Sequence, residues 1–279
     1  MKVWLQFIKY KLSLAVTITG ITGFLISDGS LVPELIITSL GIFLLASGAA
    51  GLNQFQERKT DALMIRTASR PLPSGLIDSL TALIVSIVLI VTGSLALLYI
   101  NITAALLGLL NILLYNFIYT SLKKVSYLAI IPGALVGALP PLIGWFAGGG
   151  SDSYMPAIYL ATLIFLWQIP HFWLLIIKYH RDYERAGFPT ILKLIEEIQV
   201  RRIVFVWVSL SSLFAISFFM FGINPGRIIS YLIVIANIAF IILFYRLLFS
   251  PRQEITRAFI VSNIFISLIF LTLGLSAIL

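Results

Sequence analysis

The chain has 279 residues, 60% of them hydrophobic and only 11% charged, with a net charge of +8 and a mean hydropathy of +1.06. A soluble domain carries roughly 25% charged residues, so this composition excludes one and points to the membrane. Cysteine is absent, which removes disulfide frameworks, thiolate metal sites and cysteine nucleophiles; with only His171 and His180 to supply imidazole, zinc chemistry has too few ligands.

Nine apolar runs follow one another, at roughly 10–27, 35–52, 77–100, 102–122, 125–147, 154–177, 203–223, 227–249 and 257–278, each long enough to cross a bilayer core as a helix. Backbone groups in lipid are satisfied only by helices or closed barrels, and the alternating pattern of barrel strands is missing. The expected fold is therefore an all-α polytopic membrane bundle of about nine helices, a single domain over residues 1–279. The first run lacks a small-residue cleavage site and is kept as a span.

Apart from Arg227, every Lys and Arg falls on connections that nine spans place on one side. The positive-inside rule makes that side cytoplasmic, with the amino terminus. The opposite connections, around Asp28 to Glu34, Asn101, Gly148 to Asp152 and Asn224 to Gly226, are short and poor in charge. Topology and anionic lipid thus account for the basic balance, and nucleic acid is not needed as a partner. Without a transit-like amino terminus, a bacterial-type plasma membrane is the expected location.

Between the second and third runs lies NQFQERKTDALMIRTASRPLPSG, Asn53 to Gly75. Continued as helix, it sets Asn53, Glu57 and Asp61 at i, i+4 and i+8, on one face. Such a row of oxygens suits a hard cation such as Mg²⁺, which binds one or two carboxylates together with substrate phosphates. Arg66 and Arg70 add guanidinium forks matched to phosphate oxygens, and Pro71 and Pro73 are expected to end the helix. Metal-binding oxygens beside phosphate-binding forks predict a diphosphate site. A solvated loop between spans is the plain alternative.

The ordered pattern Asn53-x3-Glu57-x3-Asp61-x2-Met64-x-Arg66-Thr67-x2-Arg70-Pro71-Leu72-Pro73-x-Gly75 resembles the first aspartate-rich motif of the UbiA-type intramembrane prenyltransferases. Its Asp61 to Pro71 portion is similar to the heme O synthase branch. The middle acid, commonly Asp in that family, is Glu57 here. A second family motif is matched by Asp182, Tyr183, Ala186, Gly187 and Pro189 in the connection expected at Lys178 to Arg202. Lys178 stands where the superfamily carries a further aspartate, so Asp182 alone is expected to face the first motif. Arg181 and Tyr183 beside it are candidate substrate-binding residues. A third stretch, Tyr119 to Trp145, also resembles the heme branch, and Lys123 at its active-side end is within reach of a phosphate. Its Gly133, Gly137, Pro140, Pro141 and Gly144 read as sites of close helix approach and of a broken span. His171, in a Pro-His pair inside the sixth run, is a candidate heme contact.

The resemblance implies transfer of a farnesyl group from farnesyl diphosphate to a vinyl group of heme B, with addition of water, giving heme O and diphosphate. It implies Mg²⁺ held by Asn53, Glu57, Asp61 and Asp182, with Arg66, Arg70 and Lys123 neutralising the leaving group. Heme B is a substrate, the bilayer is the medium, and the product is free to pass to a heme-modifying enzyme or terminal oxidase. Two alternatives stay open: a relative acting on a quinone precursor, chlorophyllide or glycerol phosphate, and a transporter. Against the transporter, the acids cluster at one water-facing edge rather than mid-membrane.

Overall fold

A computed structural model describes residues 1–27, 32–150, 153–250 and 254–278. Asp28, Asp152 and Arg252, which enter the charge reading above, lie outside them. The described residues form helices α1 (Lys2–Phe7), α2 (Tyr10–Ile26), α3 (Val32–Asp61), α4 (Ser79–Ile100), α5 (Ile102–Ile112), α6 (Thr120–Leu122), α7 (Ile130–Ala147), α8 (Met155–Arg185), α9 (Glu197–Ala215), α10 (Arg227–Leu248) and α11 (Ile255–Ser276). A π-helical segment, Leu113–Tyr119, joins α5 to α6, so that Ile102–Leu122 runs as one apolar rod. Eight such helices are long and apolar enough to cross a membrane, and α2 is a shorter apolar helix beside them.

Each span packs on the next, and α11 returns onto α2, closing the bundle into a ring. The outward faces of α4 and α10 remain apolar, with Ile84, Val88 and Leu95 on one and Ile228, Leu232 and Ile235 on the other exposed. A helix apolar all round belongs in lipid or in a core, and here both surroundings are used. Side-chain caps begin α4, α5 and α9. Asp78 accepts the Thr81 N–H at 2.9 Å, Asn101 accepts those of Thr103 and Ala104, and Glu196 with Gln199 forms a capping box at α9.

Glycine sets the closest approach in the bundle. A Cβ on Gly144 would stand 1.8 Å from the Gly20 carbonyl oxygen, and one on Gly23 would stand 2.0 Å from that of Pro141. The small-residue reading of the third stretch therefore describes the α2–α7 contact. Pro140 and Pro141 do not break the span as expected: they lie buried inside a continuous α7.

Three other expectations need correcting. Helix α3 ends at Asp61 rather than at Pro71, and Met64 to Ile77 follows as a series of turns, with Thr67 Oγ1 donating to the Asp61 carbonyl at 2.9 Å. Arg66 and Arg70 are consequently not on a shared helical face. The second charged connection is also shorter than its polarity suggests, because α8 continues through KYHRDYER to Arg185 and α9 begins at Glu197. Finally, α9 stops at Ala215, and Phe218–Phe221 forms a separate 3₁₀ turn closed by Gly222 at φ 77°.

Candidate active site

Because α3 stays helical nine residues past the end of its apolar run at 52, it carries Asn53, Glu57 and Asp61 into the bundle interior as a row, 2%, 3% and 1% exposed. All three line a single cavity of about 360 Å³. Burying unpaired carboxylates is costly, and each member of the row is met by a cation. Lys9 Nζ donates to Asn53 Oδ1 at 2.9 Å, Lys123 Nζ lies 2.6 and 2.8 Å from the two Glu57 oxygens, and Arg70 donates to Asp61 Oδ2 at 2.7 Å. Asn53 in turn donates to Thr120 Oγ1 at 3.1 Å.

Arg66 also reaches the lining, its guanidinium 4.7 Å from the centre of the Tyr179 ring. Two carboxylates thus face four cations, and the surplus of positive charge suits a polyanion such as diphosphate. Both lysines sit just outside the spans. Burial, followed by the like charges of Arg70 and Lys123, pushes Lys9 down to about 7 despite Glu57 and Asp61. For Lys123, burial is the largest influence and works in the same direction, but Glu57, Tyr115 and Tyr183 together outweigh it and the ammonium is held above its ordinary value.

The donor set fits a divalent hard cation: three oxygen ligands on one face, with no sulfur or imidazole among them. Among the described residues, no group of three or more His, Cys, Asp or Glu side chains converges as a ready metal cage. Phosphate oxygens would therefore have to complete the coordination, as is usual for Mg²⁺.

Away from this charged end the cavity is apolar, walled by Val16, Ile42, Leu45 and Ile143. Tyr115 and Tyr119, 5.9 Å apart and stacked on the π-helical segment, stand between the two regions, and Phe172 follows 5.6 Å from Tyr119. A π-turn rotates side chains out of α-helical phase, and such segments recur at functional sites.

Asp182 takes a different place from the one expected. It does not line the cavity. Its oxygens accept the backbone N–H groups of Ile65 and Arg66, each at 3.1 Å, and Arg185 lies 3.9 Å away. The carboxylate satisfies the donors of a tight turn, which α8 can reach because its backbone departs from helical geometry at Tyr179. Tyr183 and Phe188 line the cavity, whereas Arg181 is exposed and outside it. Arg181, two residues before Tyr183 on the helix, points the other way. His171 lines the apolar part of the cavity.

Lys9 is the main residue the sequence did not single out. In the sequence it is one more basic residue on a connection, yet the turn between α1 and α2 bends it inward in a left-handed conformation at φ 47°. Gln54 holds α1 in place by donating to the carbonyls of Gln6 and Phe7. The polar positions Asn111 and Gln168 and the aromatic Tyr115 were likewise not singled out.

A ring of apolar helices around one chamber, with carboxylates and cations gathered at its edge, defines a polytopic membrane protein with a charged pocket. Residues 14–269 match the UbiA prenyltransferase family. The chain belongs to that family, and with its apolar helices it is a multi-pass membrane protein.

Among similar proteins are three named protoheme IX farnesyltransferase. That of Aquifex aeolicus is 40% identical over 81% of this chain and 75% of its own length. That of Granulibacter bethesdensis is 34% identical over 86% and 76%. That of Cytophaga hutchinsonii is 38% identical over 64% of this chain, and the match spans 63% of the Cytophaga protein. Among solved structures, a digeranylgeranylglyceryl phosphate synthase superposes with a TM-score of 0.79 at 22% identity, covering 99% and 98% of the two chains. A UbiA homolog from Archaeoglobus fulgidus bound to GPP and Mg²⁺ gives 0.72 at 17% identity, covering 97% and 99%. Both establish the fold.

Proposed function

We propose that the protein transfers a farnesyl group from farnesyl diphosphate to a vinyl group of heme B, with addition of water, giving heme O and diphosphate. The observation that carries this reading is the meeting of Asn53, Glu57 and Asp61 with Lys9, Arg66, Arg70 and Lys123 at the mouth of one apolar chamber. The heme acceptor is supported by the relatives just described and by Met64, Arg66 and Arg70, which belong to the heme-branch pattern and all line the cavity. Against a transporter, the charged groups gather at one end of the chamber on α3 and its flanking turns.

Asn53, Glu57 and Asp61 would hold Mg²⁺, which supplies positive charge to the diphosphate and makes it a better leaving group. Arg70 and Lys123 bind the diphosphate oxygens, and their donors stabilise the charge that develops as the allylic C–O bond lengthens. Arg66, steadied by Tyr179, closes the mouth of the site. Tyr115, Tyr119 and Phe172 present ring faces to the allylic cation, which they stabilise without capturing. The apolar wall keeps bulk water from that cation. Asp182 acts indirectly, by fixing the turn that bears Arg66.

This side of the bundle is read as cytoplasmic from the basic connections, with the amino terminus on the same side, in a plasma membrane. Hand-over of heme O to a heme-modifying enzyme or terminal oxidase follows from the same reading. The test is direct: purified protein with heme B, farnesyl diphosphate and Mg²⁺ should yield a heme heavier by one farnesyl unit plus water. Prenylation of a quinone acid with no heme product would move the chain to another acceptor class.

A further inference from the structure

In the apolar wall of the cavity, α8 places two polar side chains, Gln168 and His171. They are three residues apart and so lie on the same face. Gln168 Oε1 and His171 Nδ1 are buried with no hydrogen-bond partner, a condition that is costly unless a ligand satisfies it. The surroundings nevertheless position both side chains. A Cβ on Gly137 would stand 2.7 Å from the Gln168 amide nitrogen, so α7 leaves a recess for that side chain. The His171 ring is clasped by Trp167 at 4.7 Å and Phe259 at 4.8 Å, and the Trp167 indole N–H is itself anchored on Ser262 Oγ at 2.8 Å. These tilted ring contacts hold the imidazole in place, while its Nδ1 has no hydrogen-bond partner.

We propose that Gln168 holds, and His171 deprotonates, the water that completes the reaction. This rests on the heme-farnesylation reading above. In that reaction the bond from farnesyl C1 to the diphosphate oxygen breaks, and its electron pair leaves with the oxygen. The vinyl π pair then forms the new C–C bond to C1, which leaves a cation on the vinyl carbon attached to the macrocycle. A water lone pair closes on that carbon, one water O–H bond breaks, and the proton passes to a His171 ring nitrogen and then to solvent. The sequence is redox-neutral. Without a placed water and base, the same cation sheds a proton from the neighbouring carbon and becomes an alkene conjugated with the macrocycle, one water lighter than heme O.

A chamber that excludes bulk water must still admit one water molecule at one point, beside a group able to take its proton. Asn111, a further polar side chain of the lining with an unpartnered buried oxygen, carries an amide and is no base. Among the described residues of the apolar wall, His171 alone carries a titratable nitrogen.

The test is the ratio of hydrated to dehydrated farnesyl-heme, read by mass spectrometry from full-length protein in lipid nanodiscs. His171→Asn and Gln168→Leu are compared with the unaltered chain, each first shown to bind farnesyl diphosphate. The expected result is at least a tenfold fall in that ratio for His171→Asn and a smaller fall for Gln168→Leu, with one diphosphate released per farnesylated heme in every case. Fully hydrated product in the residual turnover of both variants would overturn the assignment. So would weakened heme binding by His171→Asn with an unchanged ratio, which would make the ring a heme contact. If the unaltered chain forms no farnesylated heme, it is the underlying functional reading that has failed.

Discussion

Asp182 Oδ2 accepts the backbone N–H of Arg66 at 3.1 Å, and through that bond α8 holds the turn that follows α3. Because the other oxygen accepts the Ile65 N–H, Asp182→Asn must present an amide N–H₂ to one backbone donor. That clash of donors costs about 1–3 kcal/mol. The expected consequence is a rise of roughly tenfold in KM for farnesyl diphosphate, with the Mg²⁺ concentration for half-activity unchanged. Steady-state kinetics over a metal titration checks it: a shift confined to the Mg²⁺ dependence would return Asp182 to the role of metal ligand.

Glu57 and Asp61 are expected to behave differently. Their charges face Lys123 and Arg70 across 2.6 and 2.7 Å, and removing either both weakens the metal site and leaves a cation unbalanced. Loss of the metal's several kcal/mol of charge stabilisation lowers kcat by roughly 100-fold or more for Asp61→Asn and Glu57→Gln. Chelation of divalent metal should abolish turnover of the unaltered chain, and Mg²⁺ should restore it. Activity surviving both treatments would remove the metal from the mechanism.

Lys9 gives the site a pH dependence. Its ammonium is pushed down to about 7 by burial first and by Arg70 and Lys123 next, and a bound diphosphate would raise it again. Below that value Lys9 is charged with or without ligand and contributes no slope. Above it, binding must draw a proton from solution, so affinity falls by up to about tenfold per pH unit. Farnesyl diphosphate titrations between about pH 7 and 9 should show this fall, and Lys9→Arg, which keeps its charge throughout, should flatten it. An unaltered slope in Lys9→Arg would exclude Lys9 as its source.

The α2–α7 contact offers a test of packing apart from chemistry. At Gly144 a methyl group would meet the Gly20 carbonyl at 1.8 Å, and backbone cannot swing aside as a flexible side chain does. Gly144→Ala should therefore lower the midpoint of thermal unfolding in detergent, at a cost of about 1–3 kcal/mol. Gly75→Ala is the contrasting case for space: nothing stands within 4 Å of its added Cβ, and only its φ of 72° opposes the change.

The spans and the oxygen row were legible because both are local. Apolar length is a property of a continuous segment, and once α3 is taken as helix, the spacing of Asn53, Glu57 and Asp61 fixes their common face. The sequence was less informative where polarity and secondary structure part company. KYHRDYER reads as a connection by its charge, yet it is helix, because α8 keeps its backbone bonds while its charged side chains reach the edge of the bundle. The turns from Met64 to Ile77 were hidden for the opposite reason: their arginine spacing imitates a helix that the backbone has already left.

By itself, then, the order of residues determined a membrane bundle and which oxygens lie in one row, since each depends on composition or on intervals within one segment. Only the tertiary structure decided the partner of each group: Lys9 on Asn53, Lys123 on Glu57, Arg70 on Asp61 and Asp182 on the backbone of Arg66. Most of those contacts join residues far apart in the chain, brought together where the helices pack around one chamber. In such a low-dielectric interior a buried charge is stable only beside its counterpart, so packing around the chamber selects the pairs.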